Sequence, residues 1–194
     1  MFSPLDERMM RKALELATLG LFTTTPNPRV GCVIVSQGAV VGEGWHERAG
    51  GPHAEVIALQ KAGLERAKGA TAYITLEPCS HFGRTPPCAE ALVRAGIRQV
   101  IVAMQDPNPK VAGRGLQALR DAGLDVRCGL LQEEAAELNL GFVKRMTEGM
   151  PWVRAKSAAS LDGRTALPSG QSQWITSQVP GMTAMRGALA HVQC

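Results

Sequence analysis

Apolar residues recur at helical spacing from the start of the chain. Leu5, Met9, Ala13, Leu16 and Leu19 form one stripe that ends near Gly20. Ser3, with Pro4 behind it and Asp6 three residues on, gives a capping-box start to that helix. Residues 23–29 hold Pro26 and Pro28 and are excluded from helix and from a central strand. Two β-branched runs follow, 30–35 and 40–45, joined by Ser36-Gln37-Gly38 as a short hairpin connection. A second helix is expected from about His53, carrying Val56, Ile57, Leu59 and Leu64 at helical spacing. Residues 70–76 read as a buried strand, and Pro86-Pro87 opens a third helix with Cys88 in its first turn. A strand at 99–104, a helix at 115–122 and a short strand at 125–128 continue the alternation. One last helix, about 132–146, places Ala135, Leu138, Phe142 and Met146 on one side. Strands alternating with helices predict a layered α/β domain with its site at strand ends.

The alternation stops at Gly149-Met150-Pro151, and a new β-like run is expected from Trp152 to Lys156. The organisation read from this is one domain over residues 1–147 and a short second piece over 148–194. The second piece is too small for an independent core of its own. From about residue 178 the tail has no acidic residue and weak periodicity, as expected of a frayed or non-native end.

Chemistry concentrates between residues 53 and 88. His53-Ala54-Glu55 stands at a helix start; Pro78-Cys79 ends a strand, and Cys88 follows after eight intervening residues. One His and two Cys are three ligands suited to zinc, which in catalytic sites leaves a fourth position for water. Glu55 lies beside the ligand His without needing to bind the metal. His-x-Glu followed by Pro-Cys and a second Cys is the order found in zinc-dependent base deaminases. Read alone, the same residues also allow cysteines that are simply small buried hydrophobes, or a structural zinc knot. The knot would need a fourth ligand from His81, Cys32 or Cys128, none at a standard finger spacing.

Composition narrows the class. With 194 residues, 45% hydrophobic and 20% charged, the chain has the make-up of an ordinary globular protein. Aromatics are only 4%, so the core must come from Val, Leu, Ile and Ala. A net charge of +4 suits an anionic small substrate as well as nucleic acid and decides neither. The N-terminal segment mixes acids and bases and is not expected to be a signal peptide. No run of 18 apolar residues predicts a membrane span. Five cysteines, an odd number with two assigned to metal, point to a reducing compartment, hence a cytoplasmic location.

These residues resemble those of the bacterial riboflavin biosynthesis deaminase-reductases over residues 5–146. The matching stretches are Pro26-Asn27-Pro28-Arg29-Val30-Gly31, Gly44-Trp45-His46, Gly51-Pro52-His53-Ala54-Glu55, Glu77-Pro78-Cys79 through Cys88, and Asp106-Pro107-Asn108-Pro109. The long Cys-to-Cys spacing separates this branch from deaminases with a tight Cys-x-x-Cys. A shorter resemblance, to the opening of the family's reductase domain, covers 151–177 through Lys156-Ser157-Ala158-Ala159-Ser160-Leu161-Asp162-Gly163 and Ser172-Gln173-Trp174-Ile175-Thr176. A frameshift or truncation at about Gln178 would explain why the likeness stops there. The resemblance implies a cytidine-deaminase-like three-layer α/β/α sandwich around a mixed sheet, followed by a fragment of a second α/β domain.

It also implies roles. His53, Cys79 and Cys88 would hold one Zn²⁺ per chain, and Glu55 would carry protons during hydrolytic deamination of a phosphorylated pyrimidine. Asn27, His46, His81, Arg84, Thr85, Asp106 and Asn108 would contact the substrate, Arg84 meeting its phosphate. In the reductase fragment Ser172 would contact substrate and Ala158 and Trp174 NADP, a cofactor expected only with a complete reductase domain. The implied partners are the small phosphorylated pyrimidine and further copies of the chain, with no nucleic acid and no membrane. A nucleic-acid base deaminase would call for basic and aromatic residues around the pocket; near the motifs stand only Trp45, Tyr73 and Phe82 and no Lys/Arg run. A non-catalytic zinc module would have no use for Glu55.

Overall fold

The computed structural model describes residues 1–80, 87–109 and 111–170, which fall into two units divided between Met150 and Pro151. In the first, five strands form one sheet: β1 (Gly31–Ser36), β2 (Ala39–Trp45), β3 (Thr71–Ile74), β4 (Gln99–Val102) and β5 (Asp125–Cys128). Their order is β2-β1-β3-β4-β5. β1 runs antiparallel to both β2 and β3, whereas β3, β4 and β5 are mutually parallel, so the sheet is mixed. Gln37 and Gly38, both at positive φ, close the β1–β2 hairpin as a two-residue turn whose twist matches its strands.

Strand alternation sorts the core into two layers. Cys32, Ile34, Ile74, Val100 and Val102 face one way, where α2 (Ala54–Ala62), α3 (Leu64–Ala67), α4 (Cys88–Arg94) and α5 (Arg114–Asp121) cover them. Val33, Val35, Tyr73 and Ile101 face the other, under α1 (Pro4–Thr18), α6 (Gln132–Leu138) and α7 (Leu140–Glu148). Helices therefore cover both faces of the sheet, the three-layer arrangement expected.

Within this first unit three expectations are corrected. On α1 the capping box forms, Asp6 N–H donating to Ser3 Oγ and Ser3 N–H to Asp6 Oδ2. The deepest residues are nevertheless Met10, Ala13 and Ala17, with Leu5, Met9 and Leu16 on the flanks and Leu19 exposed. On α2, Ala54, Ala58 and Ala62 are buried, while Val56, Ile57 and Leu59 are half-buried and Leu64, beyond its end, is exposed. The cause is close approach to β2. A Cβ on Gly42 would stand 2.2 Å from the Ala58 carbonyl oxygen, and one on Gly44 2.4 Å from that of Ala54. Only small residues fit that contact. Finally, the single helix expected at 132–146 is two, broken at Asn139, where φ of −117° and ψ of 23° leave the helical region.

The described part of the second unit, residues 151–170, contains turns but neither helix nor strand, so the run from Trp152 to Lys156 does not form the expected strand there. A strand needs a partner for its ladder, and none pairs with this run among the described residues. Its local order is a loop in which Ser160 N–H donates to the Arg164 carbonyl and Arg164 pairs with Asp162 at 3.0 Å.

Candidate metal centre and active site

Two helix starts and one strand exit converge above the sheet. His53 is the N-cap of α2, in extended conformation, and its side chain caps nothing, which leaves the ring free to turn toward α4. Cys88 begins α4 directly after Pro87, whose fixed φ suits a helix entrance. Cys79 follows β3 by way of residues 75–78 and is stitched to α4: Cys88 N–H donates to Cys79 Sγ at 3.3 Å, and Ala89 N–H to the Cys79 carbonyl at 3.1 Å.

The result is a compact donor set. His53 Nδ1 lies 3.1 Å from Cys88 Sγ and 3.6 Å from Cys79 Sγ, and the three ligand atoms fall within 4.8 Å of one another. A tetrahedral zinc centre, with bonds of about 2.3 Å to sulfur and about 2.0 Å to nitrogen, separates its N and S ligands by about 3.6 Å. The Cys79 spacing matches that figure and the Cys88 spacing is about half an ångström shorter, so the donors fit the ion with a small outward movement of Cys88 Sγ. The two thiols are hydrogen-bonded to each other, which moves their pKa values in opposite directions. Hydrogen bonding from Cys88, reinforced by the His53 ring and the Cys88 N–H, holds the Cys79 thiol well below its usual value, while Cys88 is pushed up by that same bond to Cys79 and by burial. His53 is raised, chiefly by its bond to Cys79.

Glu55 sits in the first turn of α2, 3% exposed. Burial raises its pKa, partly offset by its own backbone N–H, the nearby His53 and, least, the Cys88 thiol. A buried carboxyl beside a zinc donor set can both take and return a proton.

A polar relay leads from His53 outward. The His46 ring meets the His53 ring edge-on, centroids 5.7 Å apart. Its Nδ1 lies 3.0 Å from the Pro52 carbonyl, which can only accept, so Nδ1 carries the proton. Nε2 is then an acceptor for the Asn27 amide at 3.1 Å, consistent with a His46 pKa lowered by burial. The Asn27 loop is held from behind by residues given no role in the sequence reading. The Asn139 side chain accepts from Arg29 N–H at 2.8 Å and donates to the Arg29 carbonyl at 3.0 Å, imitating a strand partner. The Arg29 guanidinium bonds the carbonyls of Leu138 and Leu21. The available signal for this clasp was an Asn between two leucines inside an otherwise helical run.

The structure thus brings together His53, Cys79, Cys88, Glu55, Asn27 and His46. Asp106 and Asn108 lie in the turn after β4, which is bonded to Glu77, two residues before Cys79. Ala158 is half-buried in the second unit. His81, Arg84, Thr85, Ser172 and Trp174 lie outside the described residues.

Comparison with known proteins agrees with this geometry. Residues 3–104 match the model of the cytidine and deoxycytidylate deaminase zinc-binding region, and residues 151–193 that of the RibD C-terminal domain. A diaminohydroxyphosphoribosylamino-pyrimidine deaminase of Buchnera aphidicola (Schizaphis graminum) is 55% identical over 146 residues, covering 75% of this chain and 99% of the relative. The chain belongs to the RibD family. The riboflavin biosynthesis protein RibD of Escherichia coli K12 is 64% identical over 172 residues, covering 89% of this chain but 47% of that protein. Among solved structures, Acinetobacter baumannii RibD superposes with a TM-score of 0.89 at 56% identity, covering 94% of this chain and 51% of that one. This RibD-family chain therefore spans about half the length of the RibD relatives it matches. Its first unit has the cytidine-deaminase-like α/β fold, with a zinc-binding region that includes the His53, Cys79 and Cys88 cluster. Among the described residues no helix is long and apolar enough to cross a membrane.

Proposed function

We propose that residues 1–147 form a zinc-dependent deaminase that hydrolyses the exocyclic amine of diaminohydroxyphosphoribosylaminopyrimidine, a step of riboflavin biosynthesis. The observation that carries this reading is the buried Glu55 carboxyl beside three converging ligand atoms. The near-full coverage of a relative named for that deaminase supports the substrate. His53, Cys79 and Cys88 hold one zinc, which when bound supplies a water acidified toward neutrality.

Glu55 takes one proton from the attacking water and delivers it to the adjoining ring nitrogen; it then takes the second proton, from the new hydroxyl as this becomes the carbonyl, and passes it to the amine that leaves as ammonia. His46 positions Asn27: with His46 Nε2 accepting from the Asn27 amide nitrogen, Asn27 Oδ1 remains to accept from a pyrimidine N–H. Asp106 and Asn108, with His81, Arg84 and Thr85, receive the sugar phosphate.

Residues 148–194 are read as the opening part of a reductase domain, with Ala158 and Trp174 toward NADP and Ser172 toward substrate. The match of 151–193 to the RibD C-terminal domain supports that reading. The enzyme works in the cytoplasm, in keeping with Cys32, Cys79, Cys88 and Cys128 carrying no disulfide.

The test is ammonia release from the phosphorylated diaminopyrimidine, without NADPH, by the wild-type protein and Glu55→Gln, with zinc quantified in both. The expected result is about one zinc per chain in each and a loss of rate on the order of 10³ in Glu55→Gln. Chelation should abolish release in the wild type and added zinc restore it. Equal rates in the two proteins, or a zinc-loaded wild type releasing no ammonia, would overturn the reading.

A further inference from the structure

Glu77 has no part in the chemistry above, yet it is the most heavily bonded acid among the described residues. It ends the apolar run after β3 and is 4% exposed. Its Oε2 accepts from Asp106 N–H at 3.0 Å and Gly113 N–H at 2.9 Å; its Oε1 accepts from Gly115 N–H at 2.8 Å and Leu116 N–H at 3.3 Å. All four donors belong to the segment after β4 and the first turn of α5. The contact between the two segments is direct. A Cβ on Gly115 would stand 1.9 Å from the Pro78 carbonyl oxygen, so the start of α5 lies on the backbone that leads into Cys79.

We propose that Glu77 is a positioning residue for the reaction: its carboxylate clasps the turn bearing Asp106 and Asn108, with the start of α5, onto the turn bearing Cys79. The substrate side and the metal side of the pocket then keep a fixed separation. The inference deepens the deaminase reading and rests on it. Four N–H donors converging on two oxygens require a carboxylate. A glutamine offers one acceptor oxygen, and its NH₂ would point hydrogens at two further N–H groups. Cys79 has other tethers, to Cys88 and Ala89, so loss of the Glu77 clasp frees the Asp106 side while the metal donors stay together.

The experiment compares zinc-loaded wild type, Glu77→Gln, and Glu77→Asp, which keeps two acceptor oxygens on a shorter arm. Met10→Ala serves as a control that weakens the core on the opposite face of the sheet. Zinc content, kcat and KM for ammonia release, and backbone amide exchange are measured on each. Glu77→Gln is expected to keep about one zinc, to raise KM roughly tenfold or more with kcat within about threefold, and to speed exchange at the amides of Asp106 and Gly113 selectively. Glu77→Asp is expected to fall between it and wild type, and carries the test if the Gln variant does not fold. A KM equal to that of Met10→Ala, or loss of zinc with KM unchanged in the loaded fraction, would overturn the proposal. If the wild type itself releases no ammonia, it is the deaminase reading that fails. The exchange data then decide separately: selective acceleration at Asp106 and Gly113 supports the clasp, and uniform acceleration overturns it.

Discussion

The two faces of the sheet are packed by different means. Under α2 the contact is backbone against backbone, with Ala54, Ala58 and Ala62 seated on Gly42 and Gly44. Under α1 and α6 it is made mostly by larger side chains, Met10, Tyr73, Leu76 and Leu130, with one close approach at Gly31 beneath Ala13. The first kind of contact leaves almost no slack, and the residues whose position matters most, His53, Glu55 and Cys88, project from helices on that face. The second kind supplies apolar burial but places none of the ligands. Positional precision and cohesive energy are therefore separable in this fold, and substitutions on the two faces should fail differently.

The sharpest break is expected on the tight face. Gly44→Ala puts a methyl where the Ala54 carbonyl stands 2.4 Å away, so the first turn of α2 must shift with His53 and Glu55. A displacement on the order of 1 Å in a catalytic group costs roughly 10²-fold in rate. We expect kcat/KM to fall by at least about that factor, with zinc affinity weakened, as read by ammonia release and chelator competition. Met10→Ala on the opposite face, where Met10 is fully buried, should instead lower stability by about 3 to 4 kcal/mol in urea melts. Its kcat/KM per folded molecule should stay within about twofold. Equal activity losses in the two variants would mean that the two faces are not distinct.

A smaller effect tests how the Asn27 loop is held. Asn139→Ala strips the partners from both the N–H and the carbonyl of Arg29, in a buried setting. Each orphaned group costs about 1 to 3 kcal/mol, some of it recovered by water, so a loss of about 2 to 3 kcal/mol is expected. Because Asn27 is two residues from Arg29, KM should rise as well, which Met10→Ala would not reproduce.

What could be read in advance divides along the same line. The ligands, Glu55 and the strand-helix alternation are local signals: a residue type at a spacing, or a period of two against 3.6. The alanine stripe of α2 is hidden in the sequence because apolar periodicity weights large residues such as Leu59 and Leu64 above Ala58. The break at Asn139 was hidden because its cause, the backbone of Arg29, lies 110 residues away in sequence. Glu77 stands within a sequence motif, but a carboxylate gathering N–H groups from residues 106 to 116 is a tertiary fact. The residues proposed for the chemistry stand at local spacings that a sequence displays; those that hold them in place depend on segments distant in the chain.

The smallest effect concerns a polar pair on the cohesive face. Tyr73 donates to Asp6 Oδ1 at 2.8 Å, within the capping box of α1. Burial raises the Asp6 carboxyl, but bonds from the Ser3 N–H, the Tyr73 hydroxyl and the Ser3 hydroxyl outweigh it, and the net pKa is lowered. For Tyr73, burial first and then the bond to Asp6 raise the pKa. A depressed carboxyl contributes stability that is present above its unfolded pKa, about 3.9, and is lost as pH falls through the folded value. A raised phenol contributes stability that is present below about pH 10 and is lost as pH climbs through the folded value. Tyr73→Phe removes a hydrogen bond to a charged acceptor, expected to cost about 1.5 kcal/mol. Urea melts from pH 3 to 10.5 should give a wild-type advantage that is level between about pH 5 and 9 and narrows at both ends. A gap that stays constant down to pH 3 would show that Tyr73 matters for its packing and not for the charge it meets on Asp6.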